Sequence, residues 1–371
     1  MIKRLLQKQI EDLLFKGKII IVYGPRQVGK TTLAKEILKK YKSGGKYINC
    51  DVLSNRQALE TTEPERLKTF LGDRKIIVLD EAQRITDIGL TLKVLVDTFP
   101  KLQIIATGSS SFDLADKISE PLTGRSFKFM LYPLSLQEIG DSFDLELLLR
   151  FGSYPEIFKT QDEEMKKRLL EGVTSDYLYK DILAFERIKK SNLVSGLLQL
   201  LALQVGNEVS YRELGRTLGV ASRTVEKYID LLEKVFVVFR LRSFSRNLRK
   251  EIAKSFKVYF YDLGVRNALV QAFNPLNIRG DVGFLWENFC ISERMRFNTY
   301  SNNRVNYYFW RTYDQKEIDY LEEKEGRLSG FEFKWAEKGV FKKPKDFLKA
   351  YPGSSVKLID RENYQGFLTT S

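Results

Sequence analysis

Through the first third of the chain, short runs of mostly apolar residues alternate with stretches in which hydrophobic side chains return every three or four positions. The runs are Ile19 to Tyr23, Tyr47 to Asn49, Ile76 to Leu79, Leu102 to Ala106 and Phe127 to Leu131, and Leu33, Ala34, Ile37 and Leu38 show the helical spacing between them. Strands buried on both sides carry no polar alternation, so this pattern predicts a parallel sheet with helices on both faces. The fold class is α/β. A ligand is expected at the carboxyl ends of the strands.

The pattern changes after Phe151 to Pro155, where a Gly-Ser-Tyr-Pro turn marks a boundary. To about Lys190 the residues Leu169, Leu170, Val173, Tyr177, Leu178 and Ile182 keep helical spacing, which predicts a helical lid or connector. From Leu193 a helix runs to Leu203. A short helix capped by Ser210 and broken by Gly219 follows, and a second opens at Ser222. Val235 to Ser243 and Phe256 to Tyr261 alternate as a strand pair, which completes a winged-helix pattern. Beyond Gly283 the order is α, β, β, β, α, β. It starts with a helix to Arg296 whose Phe284, Leu285, Phe289 and Ile291 should point inward. With 371 residues, more than one core is expected. The organisation read here is 1–150, 151–190, 191–280 and 281–371.

Composition then removes whole classes of chemistry. The chain has no histidine, which excludes Ser-His-Asp and Cys-His relays and HExxH metal sites. Cys50 and Cys290 are too few for a disulfide framework or a zinc site. The apolar runs fall far short of the ~20 residues that span a bilayer. The charged amino terminus holds no signal-peptide core, so the expectation is a cytoplasmic protein without a membrane partner. Sixty-one basic residues against 48 acidic ones give +13, and the excess is densest over 191–280, with 14 against 7. Such a balance suits an anionic partner or a solubilising coat alike.

Gly24, Pro25, Arg26, Gln27, Val28, Gly29, Lys30, Thr31 and Thr32 follow the first strand and open a helix, which is the phosphate-loop pattern in its required context. Backbone N–H groups would wrap the phosphates of ATP, Lys30 would reach the outer phosphates and Thr31 would offer a hydroxyl to Mg. The strand Ile76 to Leu79 ends in Asp80 and Glu81. Asp80 is expected to hold the magnesium and Glu81 to polarise the attacking water. Ser109, within Thr107-Gly108-Ser109-Ser110, is the candidate sensor of the γ-phosphate.

These segments, with Asp80-Glu81-Ala82-Gln83-Arg84 and Leu122-Thr123-Gly124-Arg125, resemble the AAA-type ATPases. More narrowly, they are similar to a prokaryotic family in which such an ATPase precedes a domain of unknown function. The resemblance covers nearly the whole chain. It leaves Arg125 as either an arginine finger or a structural ion-pair partner, and Arg150 as a candidate second sensor. In the third segment Arg223, Lys227, Arg240, Arg242 and Arg246 are candidate contacts to DNA phosphates, and a protein partner is the alternative.

The carboxyl-terminal segment resembles the restriction-endonuclease-like fold. That resemblance implies a metal site of Glu287, Asp319 and Glu332, with Lys334 beside it to orient a water. The implied whole is an ATP-hydrolysing protein coupled to a winged-helix and nuclease-like module acting on nucleic acid. Its alternative is a nucleotide-controlled switch that binds a protein and cleaves nothing. Assembly into a homo-oligomer is open in both.

Overall fold

The structure, a computed structural model, describes residues 2–109, 122–141, 143–178, 191–245, 256–312, 316–336, 341 and 343–369. The chain forms two compact units, Met1–Leu134 with Lys234–Phe236, and Ser135–Glu233 with Val237–Ser371.

In the first unit the apolar runs become β1 (Ile19–Tyr23), β2 (Gly45–Asn49), β3 (Ile76–Asp80), β4 (Gln103–Gly108) and β5 (Ser126–Met130). They lie in the order β2-β3-β4-β1-β5, and every pairing is parallel. β3 and β4 are buried along their whole length, as a sheet covered on both faces requires. Ile77, Leu79, Ile104 and Ala106 pack against Ile88, Leu92 and Leu95 of the helix Ile88–Thr98. The helix Lys30–Lys39 buries Leu33, Ala34 and Ile37. These layers bring the carboxyl ends of β1, β3 and β4 together.

The second unit holds a seven-stranded sheet of β6 (Glu208–Val209), β7 (Val238–Ser243), β8 (Phe256–Phe260), β9 (Asn306–Arg311), β10 (Glu317–Lys324), β11 (Arg327–Phe333) and β12 (Ser355–Ile359). Its order is β12-β11-β10-β9-β7-β8-β6. β7 runs antiparallel to β8 and parallel to β9, so strands from 191–280 and from 281–371 belong to one continuous sheet. Ser210 accepts from the Glu213 N–H at the start of Tyr211–Leu218, and Gly219, with a φ of 68°, ends that helix. The next helix is Ser222–Lys234. The helices Leu145–Phe151, Pro155–Lys159 and Glu163–Gly172 pack within this same unit, where Asn267 donates to the carbonyls of Leu149 and Arg150 at 2.9 and 2.8 Å. Ile182, expected in the helical connector, lies outside the described residues.

The helix Val282–Tyr300 corrects one expectation. Phe284 is exposed, not inward, and the buried surface of this helix includes Glu287, Asn288, Glu293, Arg294 and Arg296. These polar groups are buried because each finds a partner: Asn288 exchanges two 2.8 Å hydrogen bonds with the backbone of Phe260, and Arg294 donates to both oxygens of Glu322 at 2.8 and 2.9 Å. Among the described residues, no helix is long and apolar enough to cross a membrane.

Candidate functional site

Gly24 to Gly29 form the loop that leaves β1, and Lys30, Thr31 and Thr32 form the first turn of the helix that follows. The loop needs left-handed backbone. Gly24 has a φ of 147° with the place of a Cβ only 2.1 Å from the Leu131 carbonyl oxygen, Gln27 has 59°, and Gly29 caps the helix at 95°. Arg4 is buried and donates to the carbonyls of Val28 at 2.6 Å and Tyr132 at 2.7 Å, which pins the outer side of the loop. Nothing in the local pattern marked Arg4, since its partners are 24 and 128 residues away.

Lys30 is 5% exposed and donates to the carbonyls of Gly24 and Pro25 at 2.9 and 2.6 Å, so its ammonium lies along the loop. The Thr31 hydroxyl donates to the Asp80 carboxylate at 2.9–3.0 Å. Tyr47 donates to the same carboxylate at 2.6 Å, and Thr107 donates to it as well. Burial, then the Asp80 contact, pushes the Tyr47 phenol well above its ordinary range. Glu81 is held in the left-handed region at φ 56°, and its N–H donates to Thr107 Oγ1 at 3.3 Å. Gln83 donates to Glu81 and, at 3.1 Å, to Ser109, so it ties the second acid to the candidate sensor. Gln83 and Thr107 stood in the quoted motifs without a role of their own, and Tyr47, in the middle of β2, carried no signal beyond its place in an expected strand.

The donor set fits a magnesium nucleotide. A hydroxyl and a carboxylate in mutual contact are hard oxygen ligands, and the amino end of a ten-residue helix and a buried ammonium face the same loop. Gln83 Oε1 is buried without a hydrogen-bond partner among the described residues, an acceptor left beside Glu81. Arg125 pairs with Asp97 at 2.7 Å in a half-exposed ion pair. Arg150 is buried in the second unit, where it donates to Glu163 at 3.0 and 2.7 Å and to the Phe273 carbonyl at 3.0 Å.

The second unit assembles a carboxylate cluster. Tyr320 is paired with Phe331, so Asp319 and Glu332 stand opposite each other on β10 and β11. Their side chains share a hydrogen bond, and Asp319 accepts from the Phe333 N–H at 2.8 Å. Burial, then the Asp319 charge, pushes Glu332 up to about 8 against the pull of Lys334. Burial and Asp319 likewise push Glu287 up to about 7. Glu287 is engaged elsewhere too: it accepts from Tyr259, and Lys257 of β8 lies 3.2 Å from its Oε1 while also pairing with Glu317. A divalent ion does not fit this arrangement as it stands. Lys257 already lies among the acids, and no group of three or more acidic or cysteine side chains converges to hold a metal among the described residues.

Of the five candidate DNA contacts, Arg223, Lys227 and Arg242 are exposed, and Arg246 lies outside the described residues. Arg240 is a correction. Its side chain is 13% exposed, and it donates to Glu233 at 2.8 Å, to Tyr211 at 2.7 Å and to Asp230 at 2.5 Å. Its charge is thus engaged inside the unit.

Three family models match the chain in tandem. An AAA domain covers residues 16–140, one domain of unknown function (DUF8612) covers 142–276, and another (DUF4143) covers 282–365. The chain therefore carries an amino-terminal AAA domain of the P-loop ATPase class, followed by two domains of unknown function. An uncharacterized protein of Mycobacterium tuberculosis is 29% identical over 329 residues, which is 88% of this chain and 72% of that relative. One from Methanocaldococcus jannaschii is 26% identical over 344 residues, 86% of this chain and 75% of its own. Among solved structures, Pif1 helicase from Candida albicans shares 15% identity at a TM-score of 0.29, covering 47% of this chain and 48% of that one. Drosophila ORC bound to AT-rich DNA and Cdc6 shares 11% at 0.26, covering 72% and 89%. TM-scores of this size fall short of a common overall fold.

Proposed function

We propose that the chain binds and hydrolyses ATP with Mg through its AAA domain and couples that cycle to carboxyl-terminal modules that act on nucleic acid. The observation that carries the first half is the convergence of Lys30, Thr31 and Asp80 beside the loop Gly24 to Gly29. Loop N–H groups and Lys30 bind the phosphates, and Thr31 and Asp80 hold the metal, which when bound neutralises charge on the transferred phosphoryl group. Glu81 positions the attacking water and accepts its proton, while Gln83 and Ser109 fix the orientation of Glu81. Lys30→Ala removes a charge-assisted contact of about 1.5–3 kcal/mol, so ATP binding measured by calorimetry should weaken about ten- to hundredfold. Equal binding by variant and parent would remove the loop from the site.

For the second half, the assignment is a helical connector over 151–190, a winged-helix module over 191–280 and a restriction-endonuclease-like module over 281–371. The order of helices Tyr211–Leu218 and Ser222–Lys234, then β7 antiparallel to β8, with β6 on the outer side of β8, supports the winged helix. Exposed Arg223, Lys227 and Arg242 support phosphate contacts. The facing of Asp319 and Glu332 with Lys334 nearby supports the third module. One observation favours the second reading, a nucleotide-controlled switch without cleavage: Lys257 sits among the acids of that module. ATP turnover by the full chain, with and without duplex DNA, separates them. Stimulation by DNA supports the first reading, and turnover indifferent to DNA supports the switch.

A further inference from the structure

We infer that Lys257 stands in the place of a divalent cation in the carboxylate cluster of the second unit, so that the cluster is assembled on an ammonium and takes a metal only when that ammonium is removed. The inference deepens the reading of Glu287, Asp319 and Glu332 as a metal-type site and rests on it. Lys257 and Tyr259 are two residues apart on β8 and therefore share a face, and both reach Glu287. The lysine side chain is 3% exposed. A buried lysine without partners is strongly unfavourable, and the surrounding acids hold it there together with the Phe309 ring, whose centroid lies 5.6 Å from the ammonium.

Its Nζ lies 3.2 Å from Glu287 Oε1 and pairs with Glu317, whose other oxygen is 3.5 Å from Arg311. The negative charges of Glu287, Glu317 and Asp319 offset the cost of burying that ammonium. The carboxyls of Glu287, Glu317 and Asp319 surround Lys257, and Lys334 lies beside Asp319 and Glu332. A divalent ion entering here would have to displace the ammonium that Glu287 and Glu317 already hold.

The test is calorimetric titration of the full chain with Mn²⁺. Lys257→Met keeps an apolar stem and removes the charge, and it should bind Mn²⁺ about tenfold or more tighter than the parent. Adding Asp319→Asn to that variant should erase the gain, whereas Lys257→Arg should bind as weakly as the parent. Equal Mn²⁺ binding by parent and Lys257→Met, lost in both on Asp319→Asn, would overturn the role of Lys257 while leaving the metal reading intact. No Mn²⁺ binding by either would overturn both. If Lys257→Met does not fold, the comparison is between Glu287→Gln and the double variant Lys257→Met with Glu287→Gln, in which the buried pair leaves together. Tighter Mn²⁺ binding by the double variant supports the inference, and equal binding overturns it.

Discussion

Gly24 shows how little latitude the nucleotide loop allows at a single position. Its φ of 147° and the Leu131 carbonyl oxygen, 2.1 Å from the place of a Cβ, both exclude a side chain. Gly24→Ala should destabilise the first unit by about 1–3 kcal/mol in denaturant unfolding, with ATP binding lost alongside. Glu332 is the opposite kind of residue, one whose conformation is ordinary and whose protonation is not. Its folded carboxyl keeps a proton up to about pH 8, against an ordinary value of 4.5. The folded state therefore binds more protons than the unfolded state between those values. The stability from this group is complete below about pH 4.5 and is lost as pH rises through 8. Glu332→Gln should flatten the fall of the thermal midpoint over that window, and a parallel fall in variant and parent would reassign the effect to Glu287.

The helix Ser222–Lys234 separates charge that faces solvent from charge that holds the unit together. If exposed Arg223 and Lys227 each touch a DNA phosphate, each alanine substitution should reduce the slope of log affinity against log salt by about one. Arg240→Met should leave that slope alone and lower the unfolding midpoint, because its guanidinium is bonded to Glu233, Asp230 and Tyr211. An unchanged slope in Arg223→Ala and Lys227→Ala would favour a protein partner. The contrast marks what could be read from sequence. Ser210 and Gly219 were legible as caps because capping is a local backbone constraint, and the loop Gly24 to Thr31 was legible for the same reason. Arg240 was not, because its alternation on β7 matches that of exposed Arg242 and only the folded neighbours tell the two apart. Lys257 escaped likewise: its partners Glu287 and Glu317 come from distant elements, and a lysine in a basic stretch reads as surface.

At the scale of the molecule, the five-stranded parallel sheet was legible from the apolar runs of its central strands and their alternation with helical spacing, whereas the continuity of the seven-stranded sheet was not. The pairing of β7 with β9 joins residues 242 and 308, and nothing local encodes that register. Because of that junction the boundary near residue 280, where one family match ends and the next begins, is not a place where the chain can be cut. A fragment ending there would lose β9 and with it the Phe244 N–H bond to the Phe309 carbonyl at 2.7 Å. The freed side of β7 would become an open edge of unpaired N–H and C=O groups, a template for strand addition from another copy. The fragment 191–280 is expected to elute in light scattering as dimers or larger aggregates, while the chain through β12 keeps that edge covered. A monodisperse, folded monomer of the fragment would show that the helices alone shield it. Any search for what this protein binds by expressing its modules one at a time would then report the stickiness of an exposed strand in place of the specificity of the whole.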